Sequence, residues 1–332
     1  MLAALESIPE DERGAMELDV EGLRSKPVAE RLANLEALWA VRQQELREAY
    51  DAMPKADEIL TERLSVLQNK SSTEEALIGA LADLEDLLSD IDMARDFHTI
   101  GGFPALASML RDSQPEVVRE MAAWAIGTAV KNEPKHQLWV LEDGPGSQPT
   151  ALALLLENAV AATTTTLKNK IVYALSACLG NNGDVQLKFG SLRGETALSI
   201  MYDSDGSDFR VKLKTLTLMS DLLQEAGRGS PAAVLATLPV SSMASSNGAW
   251  CRRVDEALQH VPPPSSLEKV IDAVESFTPS CRVHFAELGT KERLNDAAQR
   301  YRAALAEGLE GLEAEYHREL TQKVEECAIA LL

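Results

Sequence analysis

The chain has 332 residues, 45% of them hydrophobic and 25% charged, values of a folded globular chain that exclude a wholly disordered, collagen-like or low-complexity one. With 32 basic against 52 acidic residues the formal charge is −20, a field that repels phosphate and argues against DNA, RNA or anionic lipid as partner. Aromatics at 5%, and the lack of any run of 18 apolar residues unbroken by charge, argue against a β-sandwich and a membrane-spanning helix.

The acidic opening, Met1 to about Ala29, carries Pro9 and Pro27 with little periodicity, and reads as a poorly ordered or partner-docked segment. Its first residues lack the basic and apolar regions of a signal peptide. The last five, Ala328-Ile329-Ala330-Leu331-Leu332, form neither a retention tetrapeptide nor a prenylation box. From Ala29 to Gln68 helical spacing predicts two helices parted by Pro54. One carries Leu32, Leu35, Leu38 and Trp39, the other Leu60, Leu64 and Leu67. The polar Asn69-Lys70-Ser71-Ser72-Thr73 breaks the pattern, with Ser72 or Thr73 placed to cap the next helix.

After that break the chain repeats itself. Leu84-Glu85-Asp86-Leu87-Leu88 aligns with Ala125-Ile126-Gly127-Thr128-Ala129 at a shift of about 41, which sets Asp96-Phe97 on Gln137-Leu138. Ala125-Ile126 aligns with Ala174-Leu175 at about 49, bringing Asn132 onto Asn181 and Gln137 onto Gln186. Leu179 aligns with Leu223 at about 44, bringing Lys168 and Lys170 onto Lys212 and Lys214. These periods predict an all-α, armadillo/HEAT-like superhelical solenoid with N-terminal helices and a C-terminal helical cap.

Within it, Gly101-Gly102 predicts the tight turn between one repeat's last helix and the next repeat's first, followed by a stripe of Leu106, Met109 and Leu110. The small residues Ala122, Ala123, Ala125, Gly127 and Ala129 predict close helix approach. Loops fall at 143–147, 163–166 and 203–208, and a Pro/Ser/Gly-rich junction at 227–248. Helical stripes resume over Trp250 to Leu258 and through Leu267, Val270, Ile271, Val274 and Phe277. One last helix from about Lys291, carrying Leu294, Ala298, Tyr301, Leu305, Leu312, Tyr316 and Leu320, closes the stack. The division expected is 1–72 for the acidic segment and first helices, 73–226 for the repeat core and 227–332 for the last repeats and cap.

Catalytic and cofactor chemistry finds no foothold. Cys178, Cys251, Cys281 and Cys327 are scattered, and His98, His136, His260, His284 and His317 show no zinc spacing. No glycine-rich phosphate loop and no nucleophile elbow occurs. The acidic run Asp203 to Asp208 lacks the order of a calcium loop. Asp83, Glu85, Asp86 and Asp90 read as a solvated helix face. The expectation is therefore no enzyme, no catalytic or metal-binding residue and no cofactor, leaving protein binding as the class of function.

Leu84 to Phe97, then Gly101-Gly102, then Ala125 to Asn132 with Gln137, resemble the armadillo-type nucleotide exchange factors of seventy-kilodalton heat-shock chaperones. The family's usual Asp-Asn-Ala stands here as Asp92-Met93-Ala94, and Lys170 to Ser176 resembles its next repeat. Arg42 to Ser72, with Trp250-Cys251, Glu268-Lys269-Val270 and Cys281-Arg282, is similar to the endoplasmic-reticulum branch that acts on BiP. The resemblance implies binding to the chaperone's ATPase domain, promotion of ADP release and a lumenal location. A cytoplasmic location and a generic armadillo adaptor for a peptide or signalling protein are the alternatives.

Partner-binding residues are expected at polar positions at the inner-helix ends: Asn132, Lys170 and Asn181, with Lys214, Glu120 and Asp92 behind them. In the lumenal reading Asn69-Lys70-Ser71, the chain's one Asn-x-Ser/Thr sequon, accepts a glycan. Cys251 and Cys281 sit as the two ends of a helical hairpin would, free to be a disulfide or two small buried thiols.

Overall fold

The computed structural model describes residues 27–52, 56–143, 148–205, 207–227, 248–259, 264–306 and 311–331, and among these every regular element is a helix. They fall into two compact units, Met1–Ile59 and Leu60–Leu332. In the first, the described element is α1 (Val28–Ala52). Its expected stripe is not a buried one: Leu32 and Trp39 are 52% and 65% exposed, as are Val28, Val41 and Leu46 in similar measure. No second helix of that unit is described to receive them, and the side chains of Leu35 and Leu38 lie outside the described residues. Pro54 lies outside them too, between α1 and the start of α2 (Ala56–Gln68).

The second unit begins inside α2, whose Leu60, Leu64 and Leu67 are buried as the spacing predicts. Its helices continue as α3 (Glu74–Leu87), α4 (Ile91–Thr99), α5 (Gly102–Ser108), α6 (Glu116–Val130), α7 (Pro134–Gln137) with the 3₁₀ turn Leu138–Leu141, α8 (Ala151–Ala161) and α9 (Thr165–Leu179). Then come α10 (Gly183–Ser191), α11 (Gly194–Asp203), α12 (Phe209–Gly227), α13 (Ala249–Gln259), α14 (Pro264–Leu288), α15 (Thr290–Ala306) and α16 (Gly311–Ala330).

Local chemistry starts these helices where the sequence offers a cap. Thr73, rather than Ser72, caps α3 by accepting the Ala76 N–H at 3.3 Å, Asp90 caps α4, and Thr150, Thr164 and Asn182 cap α8, α9 and α10. The last turn of the predicted 163–166 loop is therefore already helix. Pro134 opens α7 inside its first turn, where a missing N–H costs nothing.

Three triplets follow, α4-α5-α6, α7-α8-α9 and α10-α11-α12, and their third helices begin 49 and 44 residues apart, the shifts the sequence alignment uses. Each third helix packs on the next, α3 on α6, α6 on α9, α9 on α12 and α12 on α14, so one continuous core runs through the unit. Gly127 shows why small residues are needed here. A methyl group on it would stand 2.6 Å from the Tyr173 ring and 3.1 Å from Ala174 Cα, inside van der Waals contact.

Three expectations change. The left-handed turn at Gly101 (φ 80°) joins α4 to α5 within one triplet rather than one repeat to the next, because the chain must pass from α4, ending at Thr99, to α5, starting at Gly102, within two residues. The closing helix is two helices, α15 and α16, packed on each other, and Gly311 (φ 66°) starts the second in a conformation no helix interior allows. Finally, α14 runs on through Pro279 to Leu288, held by the buried stripe Phe277, Cys281 and Phe285. Cys281 thus lies inside a helix instead of beyond its end. It is bonded to Cys251 at a Cα–Cα separation of 5.5 Å.

Candidate partner-binding surface

On each third helix, positions three and four apart share one face. On α6 these are Glu120, Trp124, Thr128 and Lys131; on α9, Lys170, Tyr173 and Ala177; on α12, Arg210, Lys214, Thr217 and Asp221. Their side chains touch across the stack. Lys170 Nζ sits 2.9 Å from the centre of the Trp124 ring, a cation held against a π face. Thr128 donates to Glu85 Oε1 of α3 at 2.8 Å and lies 3.2 Å from the Tyr173 hydroxyl, while Lys131 stands over the Tyr173 ring at 5.9 Å.

Burial first, and the cations of Lys214 and Arg210 after it, draw the Lys170 ammonium below its usual range, against the opposing pull of Glu120 and Glu85. Burial, Arg210 and Lys269 do the same to Lys214, with Asp208 opposing.

Beyond the ends of α6 and α9 a cleft of about 450 Å³ is lined by Lys131, Asn132, Gln137, Tyr173, Ser176 and Asn181 among others. Asn132 and Asn181 are both exposed and both left-handed, at φ 61° and 56°. Asparagine tolerates that region better than other side chains with a Cβ, so each ends its helix by backbone preference whatever else it does. Five residues on, the aligned glutamines are buried. Gln137 donates to Ala177 O at 2.8 Å and Gly180 O at 3.0 Å, and Gln186 to Leu179 O at 2.8 Å and Glu225 Oε2 at 2.6 Å.

Of the six residues expected from sequence, Glu120, Lys170 and Lys214 lie on the third-helix face, in mid-helix rather than at its ends, and Asn132 and Asn181 lie just beyond it. Asp92 is not brought to it: it sits on α4, a first helix, exposed and paired with Arg95 at 2.8 Å. Trp124, Thr128, Tyr173, Arg210 and Lys269 went unselected. Their signal, Lys269 excepted, was register: each of the others stands one helical turn from, or beside, a residue that had been chosen.

Lys168, aligned with Lys212, is wholly buried and donates to the Asp205 carbonyl at 2.5 Å, closing the 203–208 turn from within. Among the described residues no group of three or more His, Cys, Asp or Glu is placed to hold a metal. Asp83 pairs with Arg63 at 2.7 Å. Burial pushes the free thiols of Cys178 and Cys327 up to about 12, so both are neutral packing atoms at physiological pH.

The SIL1/FES1/HPBP1 C-terminal domain model matches residues 93–331, which takes in α6, α9, α12 and α14 whole. The chain belongs to this family. Curated relatives include the nucleotide exchange factor SIL1 of Xenopus laevis, 26% identical over 76% of this chain and 55% of that one, and SIL1 of Rattus norvegicus, 25% identical over 85% and 62%. The Hsp70 nucleotide exchange factor FES1 of Scheffersomyces stipitis is 29% identical over 51% of this chain and 57% of its own. The chain thus spans between about half and two thirds of the length of these relatives.

Among solved structures, an engineered protein aligns at a TM-score of 0.59 and 15% identity over 83% of this chain and 99% of its own. A designed armadillo repeat protein aligns at 0.55 and 14% over 81% and 99%. At that identity the likeness speaks for the fold, an all-α armadillo-like solenoid.

Proposed function

We propose that this chain is a nucleotide exchange factor for a BiP-type seventy-kilodalton heat-shock chaperone, binding its ATPase domain through the third-helix face and promoting ADP release. The observation that carries the reading is the family match over 93–331, coincident with the stack of third helices that forms that face. The relatives named SIL1 and FES1 are exchange factors, and the half-buried aromatic and charged side chains of the stack are the kind that anchor protein interfaces.

The mechanism needs no bond made or broken. A surface that fits one lobe of the ATPase domain better when its nucleotide cleft is open shifts the chaperone toward the open state, by no more than the difference in affinity for the two states. Reciprocity then requires that ATP, which favours closure, weaken the grip of the exchange factor. Lys170, Lys214 and Glu120 are the contacts from the face itself, with Asn132 and Asn181 at its edge. Asp92 is dropped from the set.

The lumenal compartment is favoured over the cytoplasm by the Cys251–Cys281 bridge, since disulfides persist where the surroundings are oxidising. The deciding experiment is release of labelled ADP from purified BiP-type and cytosolic seventy-kilodalton chaperones with and without this chain. Acceleration with the BiP-type chaperone is expected. No acceleration with either sinks the reading in favour of a generic adaptor, and acceleration only with the cytosolic one moves the compartment.

A further inference from the structure

Four bases cluster on the third-helix stack. Lys170 is on α9, Arg210 and Lys214 are one turn apart on α12, and Lys269 is on α14, with α12 packed between α9 and α14. None of the four forms a salt bridge among the described residues. The chain's other bases nearby do: Lys212 with Glu256 at 3.1 Å, Arg293 with Asp255 at 2.6 Å, Lys323 with Asp272 at 2.5 Å, and Arg253 with Asp203.

In a chain of 52 acids and 32 bases, acids are not scarce. Those closest to the four are Glu120 and Glu85, facing Lys170, and Asp208, facing Lys214. Farther along the same helices the sign reverses: Asp221 feels Glu225 and Asp272, and Glu275 feels Asp272 and Glu326, with Lys323 opposing in the second case. Along α12 and α14 the face therefore passes from basic to acidic.

We infer that Lys170, Arg210, Lys214 and Lys269 form an electrostatic docking point for a cluster of Asp and Glu side chains on the folded partner, and that the acidic row beyond them admits the partner in one orientation only. The inference rests on the exchange-factor reading, and it adds the chemistry the ATPase domain must present and the residues that meet it. The whole-chain charge of −20 repels an acidic partner at long range, so this local reversal of sign decides where such a partner lands. Lys170 is already held on Trp124, so one of the four charges is positioned before binding and loses little freedom on contact.

The test is affinity for the isolated ATPase domain of a BiP-type chaperone, measured by calorimetry from low salt to about 0.15 M. The full chain is compared with two double variants of equal net charge: Arg210→Glu/Lys214→Glu, and Arg95→Glu/Lys188→Glu on the exposed sides of α4 and α10. The first pair is expected to weaken binding at least tenfold and to flatten its salt dependence, while the second stays within about twofold of the parent. Equal losses from both pairs, or no loss from the first, overturn the inference and leave the exchange-factor reading standing. Failure of the parent chain itself to bind brings down that reading and this one with it. Should the first pair fold poorly by circular dichroism, Arg210→Gln/Lys214→Gln carries the same comparison with a smaller shift.

Discussion

The middle of the stack, α6 to α12, and the helices from α13 onward are tied together by different means. In the middle, the ties between triplets are hydrogen bonds from buried or half-buried polar side chains. Asn158 donates to Leu110 O at 2.6 Å and accepts from Arg119 at 2.7 Å, Asn182 donates to Gln137 Oε1 at 2.9 Å, and Glu116 accepts from Thr163 N at 2.8 Å and Thr164 N at 3.2 Å. From α13 the ties are one disulfide and a set of ion pairs, Arg293–Asp255 and Lys323–Asp272 among them. Directional hydrogen bonds between successive triplets hold a register; a covalent tie and ionic ones hold a junction that has no repeat to copy.

The sharpest way to break this contrast is to remove the covalent tie. The bridge spans 30 residues, and in the chain-entropy account a loop of that size contributes roughly 3 to 4 kcal/mol. Cys251→Ser/Cys281→Ser, or the parent under reductant, is expected to unfold earlier in denaturant by that amount while retaining the ADP-release activity proposed for the middle stack. Loss of activity together with stability would show that the two regions do not act separately.

In the middle, Asn158→Ala leaves the Leu110 carbonyl and the Arg119 guanidinium short of a partner in a buried site, a cost of about 2 to 3 kcal/mol in equilibrium denaturation. A cost under about 0.5 kcal/mol would mean the recurring bonds hold nothing. Asn132→Ala is expected to destabilise by about 1 kcal/mol through its left-handed backbone, whereas Asn132→Gly is not. If the Asn132 side chain meets the chaperone, both variants lose affinity; if its role is conformational, only the alanine is disturbed.

Glu116 sharpens the contrast by pH. Burial alone would raise its carboxyl, but the hydrogen bonds from Thr163 and Thr164 outweigh it and hold the group below its ordinary 4.5. A depressed acid stabilises above its unfolded value and loses that contribution as pH falls through the folded one. The parent should thus lose stability below about pH 4.5 more steeply than Glu116→Gln, with the two curves parallel above it. The smallest effect concerns Asn69, exposed in a turn where its side-chain oxygen accepts the Ser71 N–H at 3.0 Å. Expressed through a lumenal route, the protein should shift on endoglycosidase treatment with its melting temperature nearly unchanged.

Much of this was legible in the residues. The third helices are long and carry the aligned apolar positions, so the shifts of 49 and 44 fix their starts at Glu116, Thr165 and Phe209. The Asn-and-Gln pairing five residues apart was visible as well, though not its meaning, since a φ above zero and a reach to the ends of the third helices are both three-dimensional facts. Boundaries failed where local signals mislead. Pro279 reads as a stop, yet the buried stripe on either side carries α14 through it. Lys170 and Lys214 align with each other, and Trp124 and Arg210 lie one helical turn from Glu120 and Lys214, a signal of register; Lys269, on a helix outside the aligned repeats, has none.

Gln137 and Gln186 have a mechanical consequence. Gln137 grips the end of α9 with two hydrogen bonds, and Gln186 ties the end of α9 to Glu225 of α12, so bending the stack at either joint means breaking both of its bonds in a buried or half-buried place. Such a stack is a stiff template that does not mould itself to what it meets. When it binds a protein that has two shapes, the strain of fitting falls on the other molecule. A ruler pressed against a hinge opens the hinge.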